Sequence, residues 1–294
     1  MPDTFERCHP TVGFVFFAAV LVFSMLTYHP WMLGISLVCG LANAALLTRG
    51  RFVRRALPVL LPVMVLTALI NPTFNHAGVT ILTYLPDGNP LTLECILFGV
   101  AAAGMLTAVL AWFSAFNVCM TSDKLVYLFG RVTPHLALLF SMTLRFVPRF
   151  AAQARRTAAA RRAMGGTDTG LIPRVRHGIA TLSGLITWAL ENAVDTADSM
   201  RSRGCGLPGR SAFALYRMSR RDVFLLVWEL AASAGVAAGL IADAADWNYF
   251  PRMRFALTGP STLLTLTVFA LLCLTPIFTA VWEALRWRAS RSEA

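Results

Sequence analysis

The sequence predicts an all-α, polytopic membrane protein, and three observations carry that prediction. Of the 294 residues, 56% are hydrophobic. Several uninterrupted apolar runs approach the ~20 residues a helical bilayer span needs. The charge is gathered between those runs and is almost all arginine: the formal net charge is +11, and Lys124 is the only lysine. Length alone would fit two soluble domains, but the runs make one membrane domain with a large cytoplasmic insertion. Six transmembrane helices are expected, up to eight if the two long helices of the insertion cross. The division is 1–121 for the N-terminal transmembrane helices, 122–221 for the cytoplasmic helical region and 222–294 for the C-terminal transmembrane helices.

Thr11 to Tyr28 is the first span. No basic stretch and small-residue cleavage site accompany it, so it is expected to be retained as a signal anchor. After the His29-Pro30 turn, Trp31 to Thr48 is the second span, with Ser36, Gly40 and Ala44 on one face. Such spacing lets helices approach closely in lipid. Arg49, Arg51, Arg54 and Arg55 follow at once, which puts this loop and the N-terminus in the cytoplasm and the first turn outside. Leu57 to Ile70 is a short third span, expected to borrow a few flanking residues, with the chain emerging outside through Asn71-Pro72. Val79 to Leu85 is β-prone and precedes the turn signature Pro86-Asp87-Gly88-Asn89, so an external hairpin is expected. Leu93 to Met120 is the fourth span.

Thr121-Ser122-Asp123-Lys124 reads as a helix start, and Leu125 to Phe129 as a short helix in the interface. Pro134 to Gly206 then holds two long amphipathic helices of ~30 residues, or ~45 Å, each. The first carries Arg145, Arg149, Arg155, Arg156, Arg161 and Arg162 and stops at Gly165-Gly166, glycine being the usual residue past a helix end. Pro148 is expected to kink it. Asp168 or Thr169 caps the second, Pro173 fits its first turn, and it ends at Arg201-Ser202-Arg203-Gly204. Each has an apolar stretch, Leu136 to Leu144 and Ile179 to Leu190, so partial embedding is expected. Pro208 and Gly209 end the insertion, and Arg210, Arg217, Arg220 and Arg221 hold the re-entry point inside. Val223 to Ala242 is the fifth span, with Ala231, Gly235 and Gly239 spaced for close helix contact. Asp243 to Pro260 is external, although its Arg252 and Arg254 run against the charge rule. Thr262 to Ala284 is the last span, and Arg286, Arg288 and Arg291 keep the C-terminus inside.

No residue is assigned to catalysis, a cofactor or a metal. A P-loop ends in Gly-Lys-Ser/Thr, whereas Lys124 lies between Asp123 and Leu125. No H-E-x-x-H or G-x-S-x-G occurs. Cys8, Cys39, Cys95, Cys119, Cys205 and Cys273 have no metal-ligand spacing, and the five histidines are scattered. Any nucleotide energy must come from another polypeptide. Glu229 lies inside the fifth span, where an ionisable group is costly. It reads as a neutral or salt-bridged structural carboxylate, or as a proton-coupling group.

Four segments together resemble the transmembrane T component of energy-coupling factor (ECF) transporters, the EcfT/CbiQ-type family. They are NPTFNHAGVTILTYL at Asn71 to Leu85, MTSDKLVYLFGR at Met120 to Arg131, SMTLRFVPRF at Ser141 to Phe150 and ADSMRSRGCG at Ala197 to Gly206. The resemblance implies a non-catalytic scaffold in the inner membrane. It would bind a substrate-binding membrane S component and two cytoplasmic ATPases, with lipid around it and no role for nucleic acid. The transported solute would be a vitamin or transition-metal ion chosen by the other chain. The two long helices become coupling helices, whose Ala-Arg-Gly-like ends dock in the ATPases. The second such end reads Ser202-Arg203-Gly204. The first reads Ala163-Met164-Gly165, with methionine where arginine is expected and Arg161 or Arg162 as substitutes one turn away. The competing readings are a stand-alone secondary transporter using Glu229 and a membrane-bound enzyme. The first calls for inverted repeats and the second for a convergent acid, base or nucleophile set. The insertion offers only Asp168, Glu191, Asp195 and Asp198.

Overall fold

The computed structural model describes residues 5, 8–48, 50–75, 78–84, 90–130, 133–164, 170–205, 207, 216–242, 247–250 and 259–292; for 51–57, 59, 134–135 and 286–292 it describes the backbone alone. Several expectations lie outside the described residues. They are Arg49, His76, the turn at Pro86 to Asn89, Gly165 and Gly166, the caps Asp168 and Thr169, Gly206, Pro208 to Arg210, and Arg252 and Arg254, together with the side chains of Arg51, Arg54, Arg55, His135, Arg286, Arg288 and Arg291. In order the elements are α1 (Pro10–Leu26), α2 (Pro30–Leu47), α3 (Arg51–Phe74), β1 (Ile81–Tyr84), β2 (Pro90–Thr92), α4 (Leu93–Cys119), α5 (Ser122–Gly130), α6 (Pro134–Ala163), α7 (Leu171–Ser202), α8 (Arg220–Ile241) and α9 (Pro260–Ser292). They form two compact units, Met1–Thr121 with Tyr216–Ala294, and Ser122–Leu215.

The first unit is a helical bundle centred on α2 and α4, with α3 packed on α4 and α9 on α2 and α8. Proline at the first position of α1 and α2 removes a backbone donor that would lack a helical partner there. Small residues decide the packing: Ser36, Gly40 and Ala44 are all buried, as their spacing predicts. A Cβ on Gly40 would lie 3.0 Å from the Trp112 ring, so the absent side chain is what seats the indole. Trp112 is fully buried and donates Nε1–H to the Ser36 carbonyl and Oγ, each at 3.1 Å. Ser36 Oγ lies 2.6 Å from Ser24 Oγ of α1, and Phe16 meets Trp112 edge-on at 5.9 Å. A tryptophan belongs in such a core only when its N–H finds a partner. Asn43 Nδ2 donates to the Cys39 carbonyl at 3.0 Å and to the Cys273 carbonyl of α9 at 3.3 Å.

Among the described residues four helices are long and apolar enough to cross a bilayer: α2, α4, α8 and Pro260–Leu285 of α9. Two shorter apolar helices, Pro10–Leu26 and Leu60–Phe74, accompany them. By composition and length the molecule is therefore an all-α membrane protein. The hairpin is present in its strands, β1 pairing antiparallel with β2. Thr80 Oγ1 donates to Glu94 Oε1 at 2.8 Å, tying the hairpin to the first turn of α4.

Two expectations need correction. The third helix does not end at Ile70 but continues through Asn71-Pro72 to Phe74. Pro72 deprives the Ala68 carbonyl of its helical donor, yet that carbonyl sits at the α3–α4 contact, 2.8 Å from where a Cβ on Gly99 would stand. The helix then closes with Asn75 N–H on the Asn71 carbonyl at 2.9 Å, so the proline falls in a last turn fixed by packing. On α8, Ala231 is exposed, and the buried face carries Asp222, Leu225, Glu229, Ala232 and Val236. Gly239 does meet α9, where a Cβ would collide with Thr265.

The second unit is α5, α6 and α7. α6 and α7 pack antiparallel through an edge-on Phe150–Trp188 pair, ring centroids 5.7 Å apart, and a Thr157–Gly184 approach. α6 continues through Pro148. No described residue of α6 or α7 is buried.

Candidate functional site

The end of α7 is built to hold an arginine in a fixed place. Ser202 is its last residue and Arg203 its C-cap, with φ −87° and ψ 8°. Gly204 follows with φ +76°, a left-handed conformation that costs an L side chain ~1–2 kcal/mol. Cys205 N–H bonds back to the Met200 carbonyl at 2.9 Å and Gly204 N–H to the Arg201 carbonyl at 3.0 Å. This pair of bonds is the Schellman closure, which satisfies carbonyls a helix end otherwise leaves bare. Ser202 Oγ donates to the Ser199 carbonyl at 2.9 Å. Arg203 is exposed and has no carboxylate partner among the described residues. The tip therefore presents a guanidinium, with five donors in a planar fork, from a backbone closed by the Schellman bonds.

The end of α6 is different. Ala163 is its last residue and Met164 its C-cap, 80% exposed. Met164 N–H is shared between the Ala160 and Arg161 carbonyls, each at 3.2 Å. Gly165 lies outside the described residues. Arg161 and Arg162 occupy the last turn, but their side chains line a cleft of about 450 Å³ against α7 together with Arg155, Arg174 and His177. The sequence pattern singled out neither Arg174 nor His177. Only the register between the two helices brings them opposite Arg161 and Arg162.

Along α7 runs a further feature. Leu171, Val175, Ile179, Leu182, Ile186, Leu190 and Val194 are all exposed, and steps of three and four place them on one helix face. A continuous apolar face of this kind marks an interaction surface.

Glu229 is fully buried in α8, and neither carboxylate oxygen has a hydrogen-bond partner among the described residues. Among the described residues it has no ion-pair partner. The ion pair nearby in sequence is Arg221 Nη1 with Glu283 Oε1 at 3.3 Å, joining α8 to α9. At the start of α8, Ser219 and Asp222 form a capping box. Asp222 Oδ1 also accepts from His9 N–H at 3.4 Å, holding the start of α1. Burial lowers the His9 pKa, against an opposing pull from Asp222. Among the described residues no group of three or more histidine, cysteine or carboxylate side chains is placed to hold a metal ion.

The family model for cobalt transport proteins, CbiQ, matches residues 4–211. The chain belongs to the CbiQ cobalt transport protein family. Both helix tips of this CbiQ-family chain fall within the matched region, whereas Glu229 lies beyond it. A stretch of 96 residues, 32% of the chain, is 33% identical to the protein named energy-coupling factor transporter transmembrane protein EcfT of Lactobacillus helveticus (strain DPC 4571), covering 35% of that relative. The match thus spans about a third of the relative's length. Both findings agree with the resemblance read from the four sequence segments and make the chain a membrane protein of a transport family.

Proposed function

We propose that this chain is the transmembrane scaffold of an ECF-type importer, coupling two cytoplasmic ATPases to a substrate-binding membrane subunit. The observation that carries the proposal is the end of α7, where the Schellman closure at Gly204 holds Arg203 exposed and without a carboxylate partner. In this reading α6 and α7 are the coupling helices, Arg203 enters a groove of one ATPase, and Arg161 or Arg162 serves the other in place of Met164. ATP-driven closure of the ATPase pair rotates the helices. The apolar face of α7 meets the membrane subunit. The chain itself catalyses nothing; it lies in the inner membrane with both termini cytoplasmic, and the two shorter apolar helices complete six spans. The cargo class is a transition-metal ion or vitamin, in keeping with the cobalt transport description of the family.

Arg203→Glu tests the docking. Loss of one desolvated charge partner costs ~2–5 kcal/mol of binding, so ATPase co-purification should fall at least about thirtyfold while the chain still elutes as a folded species. Undiminished recovery of the ATPases would remove Arg203 from the interface. One observation favours a second reading, transport by the chain alone: the unpartnered buried Glu229. Solute uptake by vesicles holding only this chain would establish it, and uptake that appears only with ATPases would exclude it.

A further inference from the structure

The cleft between α6 and α7 extends beyond the docking residues of the α6 tip, to Arg155, Arg174 and Thr181. Four guanidinium groups, those of Arg155, Arg161, Arg162 and Arg174, converge on it with His177. No described lining residue is acidic. None of the four arginines pairs with a carboxylate among the described residues. Two of them donate Nε–H only to their own helix, Arg155 to the Ala151 carbonyl at 3.2 Å and Arg162 to the Ala158 carbonyl at 3.4 Å. Their terminal nitrogens remain available. Ala158 and Gly178 lie between the arginines and leave the room that larger side chains would fill. Four like charges facing one another across about 450 Å³ are mutually repulsive until an anion joins them.

We propose that this cleft binds the phosphate headgroup of an anionic phospholipid. A single carboxylate offers two coplanar oxygens and satisfies one guanidinium fork. A phosphate presents several acceptor oxygens in three dimensions and accepts from forks on opposing helices. The surface beside the cleft selects an amphiphile over a free anion. At 100° per residue, Leu171, Val175, Ile179 and Leu182 form a stripe along α7 adjoining the one that carries Arg174 and Gly178, and all four are exposed. A headgroup in the cleft would lay its acyl chains along this apolar face. Basic pockets between helices are a recurrent mode of acidic headgroup recognition. Arg161 and Arg162 also stand in the proposed ATPase contact, so the test rests on Arg155 and Arg174, which that contact does not use.

The test is a titration of the purified full-length chain with dioleoylphosphatidylglycerol or dioleoylphosphatidylcholine, followed by native mass spectrometry. The wild type should retain phosphatidylglycerol in preference. R155Q/R174Q should weaken that retention roughly thirtyfold, at about fivefold per arginine, with an unchanged thermal midpoint and ATPase co-purification intact. R155K/R174K, which keeps the charge but loses the two forks, should fall between wild type and R155Q/R174Q. A measurement on wild type alone guards against a misfolded variant: photo-crosslinking phosphatidylglycerol should label peptides containing residues 155–178. Label confined to other peptides, or equal retention of the two lipids, overturns the proposal. Displacement of bound lipid by millimolar inorganic phosphate would make the site one for a free anion. Loss of ATPase recovery in R155Q/R174Q would assign the cleft to an acidic protein surface. Either result refutes the lipid assignment.

Discussion

Trp112 and Trp188 are the same side chain in the middle of long helices, and they mark the two units as different kinds of structure. Trp112 is fully buried, its indole N–H bound to Ser36 and its ring seated on Gly40. Trp188 is only partly buried and rests edge-on against Phe150. The first unit has an interior. In the second, α6 and α7 have none: their apolar faces are exposed, and four of their arginines line one cleft with no carboxylate among its described lining residues. An antiparallel helix pair of this sort gains little from its own contacts, so what shapes it must come from the molecules that bind it.

The contrast is sharpest in Trp112→Ala against Trp188→Ala. Removing a fully buried tryptophan costs about 3–5 kcal/mol, and here Ser36 also loses its donor; the thermal midpoint of the detergent-purified protein should drop by many degrees. Trp188→Ala should cost about 1 kcal/mol or less, the worth of an aromatic pair. Equal losses would mean that α6 and α7 have an interior after all.

Glu229→Met probes the packed unit for its one fully buried, unpartnered carboxyl among the described residues. Such a group costs about 1–3 kcal/mol, so an apolar side chain of similar length should raise the midpoint. A fall would show that the carboxyl has a partner. A rise accompanied by lost uptake would show that stability was exchanged there for function.

At the α7 tip, Gly204→Ala forces a Cβ into a backbone with φ +76°. The cost of about 1 kcal/mol should appear as roughly fivefold weaker ATPase capture, with no change in the midpoint of the bundle. A midpoint shift of several degrees would tie the tip to the core.

The smallest expected effect concerns His29, in the turn between α1 and α2. It is buried, and neither ring nitrogen has a partner among the described residues; burial lowers its pKa. A histidine whose pKa is lower folded than unfolded contributes its full stability above the unfolded value of about 6.5. That contribution is lost as pH falls from there toward the folded value. Wild type should therefore lose stability on going from pH 7.5 to 5.5, and His29→Phe should lose less. Identical pH profiles would show that the imidazole is neutralised in some other way.

The four long apolar helices were legible because a bilayer demands a composition that few other structures require. The hairpin strands were legible for a similarly local reason, β-prone residues beside a turn signature. The Gly204 stop was legible because left-handed backbone all but names its residue. Pro72 misled because a proline's effect depends on whether its neighbours hold the helix closed, and Gly99, twenty-seven residues on, does so. Ala231 misled because alanine is frequent enough to sit on any face; the face of α8 is set by Leu225, Ala232 and Val236. The cleft was hidden for a deeper reason. Arg155 and Arg174 stand on different helices, and only the packing of the two brings both to one cleft.

Asn43 sets the order in which the molecule can be finished. Its amide reaches the Cys273 carbonyl, 230 positions further along, so a helix made among the first waits for a surface made among the last. While the ribosome is still producing α6 and α7, the groove of α2 that receives α9 stands open to lipid. The nascent bundle can therefore close only after residues beyond 260 have been inserted, and a stalled or prematurely terminated chain would offer that vacant groove to quality-control proteases in the membrane.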